Sequence, residues 1–226
     1  MSMLLLLLLH EKFQIKDQFE IWQGVTTSRN LWKESGKKKP SDIYKVVNLS
    51  GIDNCTGMIE AENLIDFMPT RSIPEDKLLT KYDYLISCKG EVKGFSMLMS
   101  ENILEMMKKK SCGGLVASNH FLVLRPRLIA DAGISEIGFL HNLLGIISAK
   151  LNDLPSVKKR INKYVTVNEV SNYTFAFPYK DGKVVDSFNA VFSNYIGSLK
   201  DFIYAKERVD EYNRILETKI ILPQNE

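Results

Sequence analysis

The stretch that most restricts what this 226-residue chain can fold into lies near its C-terminus, where apolar residues recur in a sustained heptad. Phe192, Tyr195, Leu199, Phe202, Val209, Leu216 and Ile220 fall on one seam, interrupted by Lys206 and Asn213. A buried Asn in such a seam fixes the register of a coiled coil at some cost in stability. A helix beginning near Asp186 and carrying this pattern would run on the order of 45 Å at about 1.5 Å per residue, longer than most small domains can cover. Either the helix lies on its own domain as an ordinary amphipathic element, or part of its stripe is covered by a second helix from elsewhere. The length favours the second, with Phe192, Tyr195, Leu199, Phe202, Val209, Asn213 and Leu216 as the dimer interface.

The rest of the chain reads as one compact α+β domain. Residues 1–180 change period repeatedly, with turn signals at intervals and no internal repeat, and residues 181–226 hold the long helix. With 45% apolar residues there is ample material for a core. "IYKVVNLSGID" reads as a strand ending at Gly51 and "CTGMIEA" as the next. Ser100 would cap a helix whose Ile103, Leu104 and Met107 share a face, ended by Gly113. "SNHFLVLRPR" is a strand stopped by Pro126. Ile137, Leu140, Leu144, Ile147 and Leu151 recur at helical spacing, "SVKKRINKYV" is a short basic stretch after Pro155, and Tyr173 to Phe177 form a last strand before Pro178, Asp181 and Gly182 break the chain.

Leu4 to Leu9 are six apolar residues, far below the roughly 20 that span a bilayer, and neither basic residues before them nor a small-residue cleavage site after them make a signal peptide. They read as a short buried strand or helix start. Cys55, Cys88 and Cys112 are widely spaced, with no Cys-x-x-Cys pair to build a zinc or redox site, and read as reduced thiols of a cytoplasmic protein.

A net charge of only +3 means that any nucleic-acid role would rest on local clusters of Lys and Arg. Lys108 to Lys110 complement the carbonyl end of the helix before them, and Lys158, Lys159 and Arg160 fit the solvated face of a short helix. Arg29, Lys33, Lys37, Lys38 and Lys39 sit instead in a Gly, Ser and Pro-containing loop with Trp32, a mixture suited to phosphate contact. In "KYDYLISCKGEVKG", Tyr82, Tyr84 and Ile86 would share one strand face, and Lys89, Gly90, Lys93 and Gly94 would make a basic hairpin tip with glycines serving turn geometry. Glu91 and Lys93 after Asp83 also resemble the acidic-plus-lysine site of Mg²⁺-dependent restriction-type nucleases, but Glu-x-Lys recurs at Glu75 and Glu217. His10, His120 and His141 lack metal spacing, and no nucleophile with an oriented base can be argued.

Taken in order, the pieces resemble the specificity subunits of type I restriction-modification systems, specifically one target-recognition domain with its following long helix. "IWQGVTTSRN" resembles that domain's opening Ile-x-x-Gly-x-Thr, and "YDYLISCKGEVKGFSML" is similar to its hairpin Gly-Asp-x-Leu-Ile-Ser-x-Lys-Gly-x-x-Gly. "YKVVNLSGIDNCTGMI", "ASNHFLVLRP", "GFLHNLLGIISAKL" and "YTFAFP" follow at the matching places. Tyr82 stands where the family has a glycine, and "PYKDGKVVDSF" replaces its Pro-Pro-Leu-x-x-Gln. The family's usual chain carries two recognition domains and two helices, so this one looks like half a subunit. The resemblance implies a non-catalytic chain without cofactor that binds double-stranded DNA, with Thr26, Arg29, Lys33, Lys37, Lys38, Lys39, Lys89 and Lys93 as the candidate contacts. It also implies a separate modification subunit that methylates adenine with S-adenosylmethionine, and a further restriction subunit. A homodimer through the helix would then read palindromic half-sites. A nuclease using Glu91 and Lys93, or a protein-interaction module whose basic loops are merely solvated, are the alternatives.

Overall fold

The structure, a computed structural model, describes residues 11–27, 43–53, 57–69, 71–100, 103–105, 112–127, 134–160, 164–177, 179–180 and 183–184, and helical positions scattered between 194 and 215. Its centre is set by four consecutive apolar residues. Phe121, Leu122, Val123 and Leu124 begin a strand that runs Phe121–Pro126, and all four are buried. Side chains alternate across a strand, so a run that is apolar at every position must be covered on both faces.

In chain order the strands are β1 (Glu11–Gln14), β2 (Phe19–Gln23), β3 (Tyr44–Val47), β4 (Ile65–Phe67), β5 (Tyr84–Ser87), β6 (Gly94–Ser96), β7 (Gly114–Ala117), β8 (Phe121–Pro126), β9 (Thr174–Phe177), β10 (Tyr179–Lys180) and β11 (Lys183–Val184). Among the described residues the helices with both ends placed are α1 (Ile15–Gln18), α2 (Ile134–Leu151), α3 (Pro155–Lys158) and α4 (Val167–Ser171). β8 sits inside an antiparallel sheet of order β2-β8-β5-β6. On one face Leu122, Leu124, Tyr84 and Ile86 pack against Leu144, Ile147 and Leu151 of α2, with Val157, Val170, Phe175 and Ile15 closing the layer. On the other, Phe121, Val123, Leu85 and Phe95 meet Val47, Leu115 and Ala117 of a second sheet, ordered β4-β3-β7 with β3 and β7 parallel. The outer face of that second sheet carries a small core of Tyr44, Val46, Phe67 and Val116. β1 pairs with β9, fastening the start of the described chain to the end of the domain.

Two local expectations change. The first predicted strand ends at Val47, because residues 49–51 close a 3-10 turn in which the Gly51 amide donates to Asn48 O at 3.0 Å. The strand expected next lies further on, at Ile65–Phe67, while Ile59 makes only an isolated bridge to Ile52. The Ser100 hydroxyl accepts from the Ile59 amide at 2.9 Å, at the end of a 3-10 turn over Met97–Ser100, and the first turn of the helix it was expected to cap lies partly outside the described residues. Residues 103–105 are helical, whereas Met107 and Lys108 to Lys110 lie outside the described residues. So do Leu4 to Leu9 and Cys55. Cys88 is a buried free thiol and Cys112 is half-buried.

The described positions between 194 and 215 are helical, unbroken over 208–215, and their side chains are exposed. Phe202 and Val209 of the heptad seam are 51% and 56% exposed, so the domain does not cover them. Among the described residues no helix is long and apolar enough to cross a membrane.

Candidate nucleic-acid interface

The hairpin joining β5 to β6 is rigid for reasons that can be traced atom by atom. The Ser87 hydroxyl donates to Glu91 O and accepts from the Lys93 amide, both at 2.7 Å, and the Ser87 amide donates to Lys93 O at 2.8 Å. Just beyond the end of α2, the Asn152 amide group pairs with both backbone groups of Val92, accepting from its N–H and donating to its C=O at 2.9 Å each. Val92 itself is buried in the helix-side core. Gly90, at φ 77, takes the left-handed turn position that favours glycine. Gly94 has a different reason: a Cβ there would stand 1.9 Å from Tyr84 Oη, because the Tyr84 ring crosses Gly94 to pack on α2 beside His141. Tyr84 and Ile86 share the helix face as expected, while Tyr82 lies in the turn before the strand.

This tip belongs to one end of the four-stranded sheet, where several elements converge. The Cys88 amide donates to His120 O at 2.8 Å, and the Val165 amide donates to Cys88 O at 3.1 Å beside a bridge between Lys89 and Tyr164. At the same end, Val25 and Ser118 bridge, and the Gln23 side chain donates to Asn119 O at 3.1 Å. Gly24 permits this approach, since a Cβ there would stand 2.1 Å from Ser118 O. Lys89 and Lys93 therefore lie at the end of the sheet from which Thr26 leaves β2, and all three side chains are exposed. Lys93 pairs with Glu91 at 3.3 Å, whereas Lys89 has no acidic partner among the described residues. Burial first, and the Lys89 charge second, hold His120 below the usual imidazole range. Arg160 forms two 3.0 Å hydrogen bonds to Glu169. Burial pushes that carboxyl up, but the hydrogen bonds from Arg160, Ser156 and Thr166 prevail and hold it at about 2.

The carboxylate of the nuclease reading is occupied elsewhere. Asp83 is fully buried and receives Arg125 Nε at 2.7 Å and Nη2 at 2.8 Å, with the Thr80 amide at 2.7 Å. Burial raises this carboxyl above its usual range, and the bidentate guanidinium and the Thr80 amide oppose the rise. Arg125 also donates to Asp76 O and Leu78 O and lies over the Trp22 ring, so Asp83 ties β5 to β8 and to the preceding turn. Glu91 remains at the exposed tip with Lys93. No group of three or more His, Cys, Asp or Glu among the described residues could hold a metal ion.

Of the candidate DNA contacts, Thr26, Lys89 and Lys93 are brought to one end of the sheet, while Arg29, Lys33, Lys37, Lys38 and Lys39 lie outside the described residues. Phe202, Val209 and Asn213 of the dimer seam are exposed on the helix; Phe192, Tyr195, Leu199 and Leu216 lie outside. Tyr164 and His120 join Lys89 without having been singled out as contacts. The "KKRINKY" run beside "CKG" held a hint only in its basic character, because the contact is made by a single bridge across 75 positions of chain.

No protein-family profile matches the sequence, and no curated protein matches it. Solved structures do. A chain from a structure concerned with complex assembly and conformational transition of the type I R-M system is 15% identical, with a TM-score of 0.51 over 96% of this chain and 50% of that one. The HsdS subunit from Thermoanaerobacter tengcongensis is 14% identical, with a TM-score of 0.48 over 89% of this chain and 40% of its own. The type I restriction-modification S subunit from M. genitalium is 11% identical, with a TM-score of 0.40 over 90% and 45%. The first of these shows that the chain has the fold found in a type I R-M system chain, and this chain spans half the length or less of each of the three.

Proposed function

We propose that this chain is a DNA-binding specificity subunit of a type I restriction-modification system, with a single target-recognition domain in residues 1–180 and, within residues 181–226, a helix beginning near Asp186 that pairs with a second copy. The observation that carries the reading is the fold shared with a type I R-M system chain over 96% of this chain but only half of the other. The exposed seam residues Phe202 and Val209 support the pairing. In this role the chain is cytoplasmic and catalyses nothing. It binds double-stranded DNA and supplies the address for an adenine methyltransferase subunit, and for a restriction subunit where one is present.

The exposed apolar helix also favours a protein-interaction module that does not touch DNA. Titrating a labelled duplex of mixed sequence at several salt concentrations separates the readings. A specificity subunit loses affinity steeply as salt rises, because phosphate contacts release counterions. An interaction module shows no salt-dependent affinity. Glu91→Gln separates the nuclease reading: with its carboxylate gone, the tip repels phosphate less, so binding is unchanged or tighter and no Mg²⁺-dependent cleavage appears in either protein. Cleavage by the parent protein that Glu91→Gln abolishes would overturn the proposal.

A further inference from the structure

We propose that Tyr164 and Lys89 together form a seat for the DNA sugar-phosphate backbone, held in place by the Arg160–Glu169 ion pair; this rests on the reading of the chain as DNA-binding. Tyr164 is 43% exposed, yet it is fixed from two sides. Its backbone pairs with Lys89, and the Arg160 guanidinium lies 4.1 Å from its ring centroid while Nη1 donates to Tyr164 O at 2.6 Å. Arg160 is itself clamped by Glu169, whose carboxylate also takes the Thr166 amide and hydroxyl at 2.9 and 2.8 Å.

A chain that only needed to close this loop would gain by burying the ring. Here a bidentate ion pair and a capped helix are used to hold an aromatic ring at the surface. A stacked, pre-positioned ring loses little freedom when its hydroxyl donates to a ligand. Next to it stands Lys89, an exposed cation without an acidic partner among the described residues, whereas Lys93 at the same tip is paired with Glu91. A fixed phenol and an exposed lysine without a counter-ion, on residues paired across one bridge, suit an anion with neighbouring oxygen acceptors, and under the proposed function that anion is the phosphate of the duplex. Such contacts position the protein and carry no sequence information, so the seat should act alike on every sequence.

The experiment measures duplex affinity against salt for the full chain and for Lys89→Ala and Tyr164→Phe, on a selected target and on mixed-sequence DNA. Tyr164→Phe keeps the ring on Arg160 and removes only the hydroxyl, and thermal melting checks that each variant folds. The expected result is a weakening of about 5-fold or more for Lys89→Ala, with the salt slope reduced by about one. Tyr164→Phe is expected to lose about 3- to 5-fold, equally on both DNAs. If the parent chain binds with salt dependence and both variants bind as it does, the seat is overturned while the subunit reading stands. A loss confined to the selected target would make Tyr164 a base reader and overturn its assignment to the backbone. If the parent chain shows no salt-dependent binding, the seat and the subunit reading fall together.

Discussion

Gly24, Gly90 and Gly94 lie around the same end of the four-stranded sheet, and an added methyl group would meet a different obstacle at each. At Gly24 it would stand 2.1 Å from Ser118 O and 2.4 Å from Ala117 O, backbone atoms that cannot swing away. At Gly94 it would meet the Tyr84 phenol at 1.9 Å, a buried ring already packed toward Gly145. At Gly90 it would meet nothing, leaving only the cost of a left-handed conformation. Chemical denaturation should therefore rank the Ala variants Gly24 first at about 3 kcal/mol or more, Gly94 at about 1–3, and Gly90 at about 1. The turn role of Gly90 was legible in its sequence neighbourhood. That of Gly94 was not, because the ring that needs the space belongs to the facing strand. His141 was equally opaque: buried, its Nε2–H donates to Tyr82 O at 2.9 Å and its Nδ1 accepts from Ser96 at 2.7 Å. Burial lowers its pKa from 6.5 to about 4, with the Tyr82 hydrogen bond opposing. The unfolded chain takes up a proton below about 6.5 that the folded chain refuses until about 4. The stability is thus fully present above 6.5 and falls by on the order of 3 kcal/mol between those values. His141→Gln should be less stable at neutral pH and lack that slope; an unchanged slope would place its origin elsewhere.

At the level of elements, the period of the apolar residues was the dependable guide. Leu144, Ile147 and Leu151 line the core-facing side of α2, and β8 and β9 fall on their predicted stretches. The short strands β3, β4 and β7 were less legible, since three or four residues acquire strand identity from partners such as Val46↔Val116, distant in the chain. The hairpin tip depends on the same kind of distant support. Asn152→Ala would strand both the N–H and the C=O of buried Val92. It should cost about 2–3 kcal/mol and speed amide exchange at Val92 and Lys93 while leaving α2 protected. Unchanged exchange at the tip would mean that Ser87 alone holds it.

For the whole molecule, the domain leaves the described positions of the C-terminal helix uncovered, those of the heptad seam and the others alike. If a second copy covers the seam, Phe202→Glu with Val209→Glu should convert a dimer at micromolar concentration into a monomer in light scattering without lowering the thermal stability of the domain. Affinity for a paired site should fall by about 100-fold as the second domain loses its tether. A chain that is monomeric before substitution would remove the need for symmetry altogether. Under the proposed function, the DNA word would have no counterpart in the sequence that physical reasoning can translate, because base contacts would depend on how loops such as Thr26 to Lys39 met the groove. The most direct test of the proposed function is therefore selection of bound duplexes from a randomised library at low salt, with and without a co-purifying methyltransferase. A specificity subunit paired through its helices selects a palindromic word in two halves separated by a fixed spacer that the helices set; no enriched sequence in either sample would overturn the proposed function.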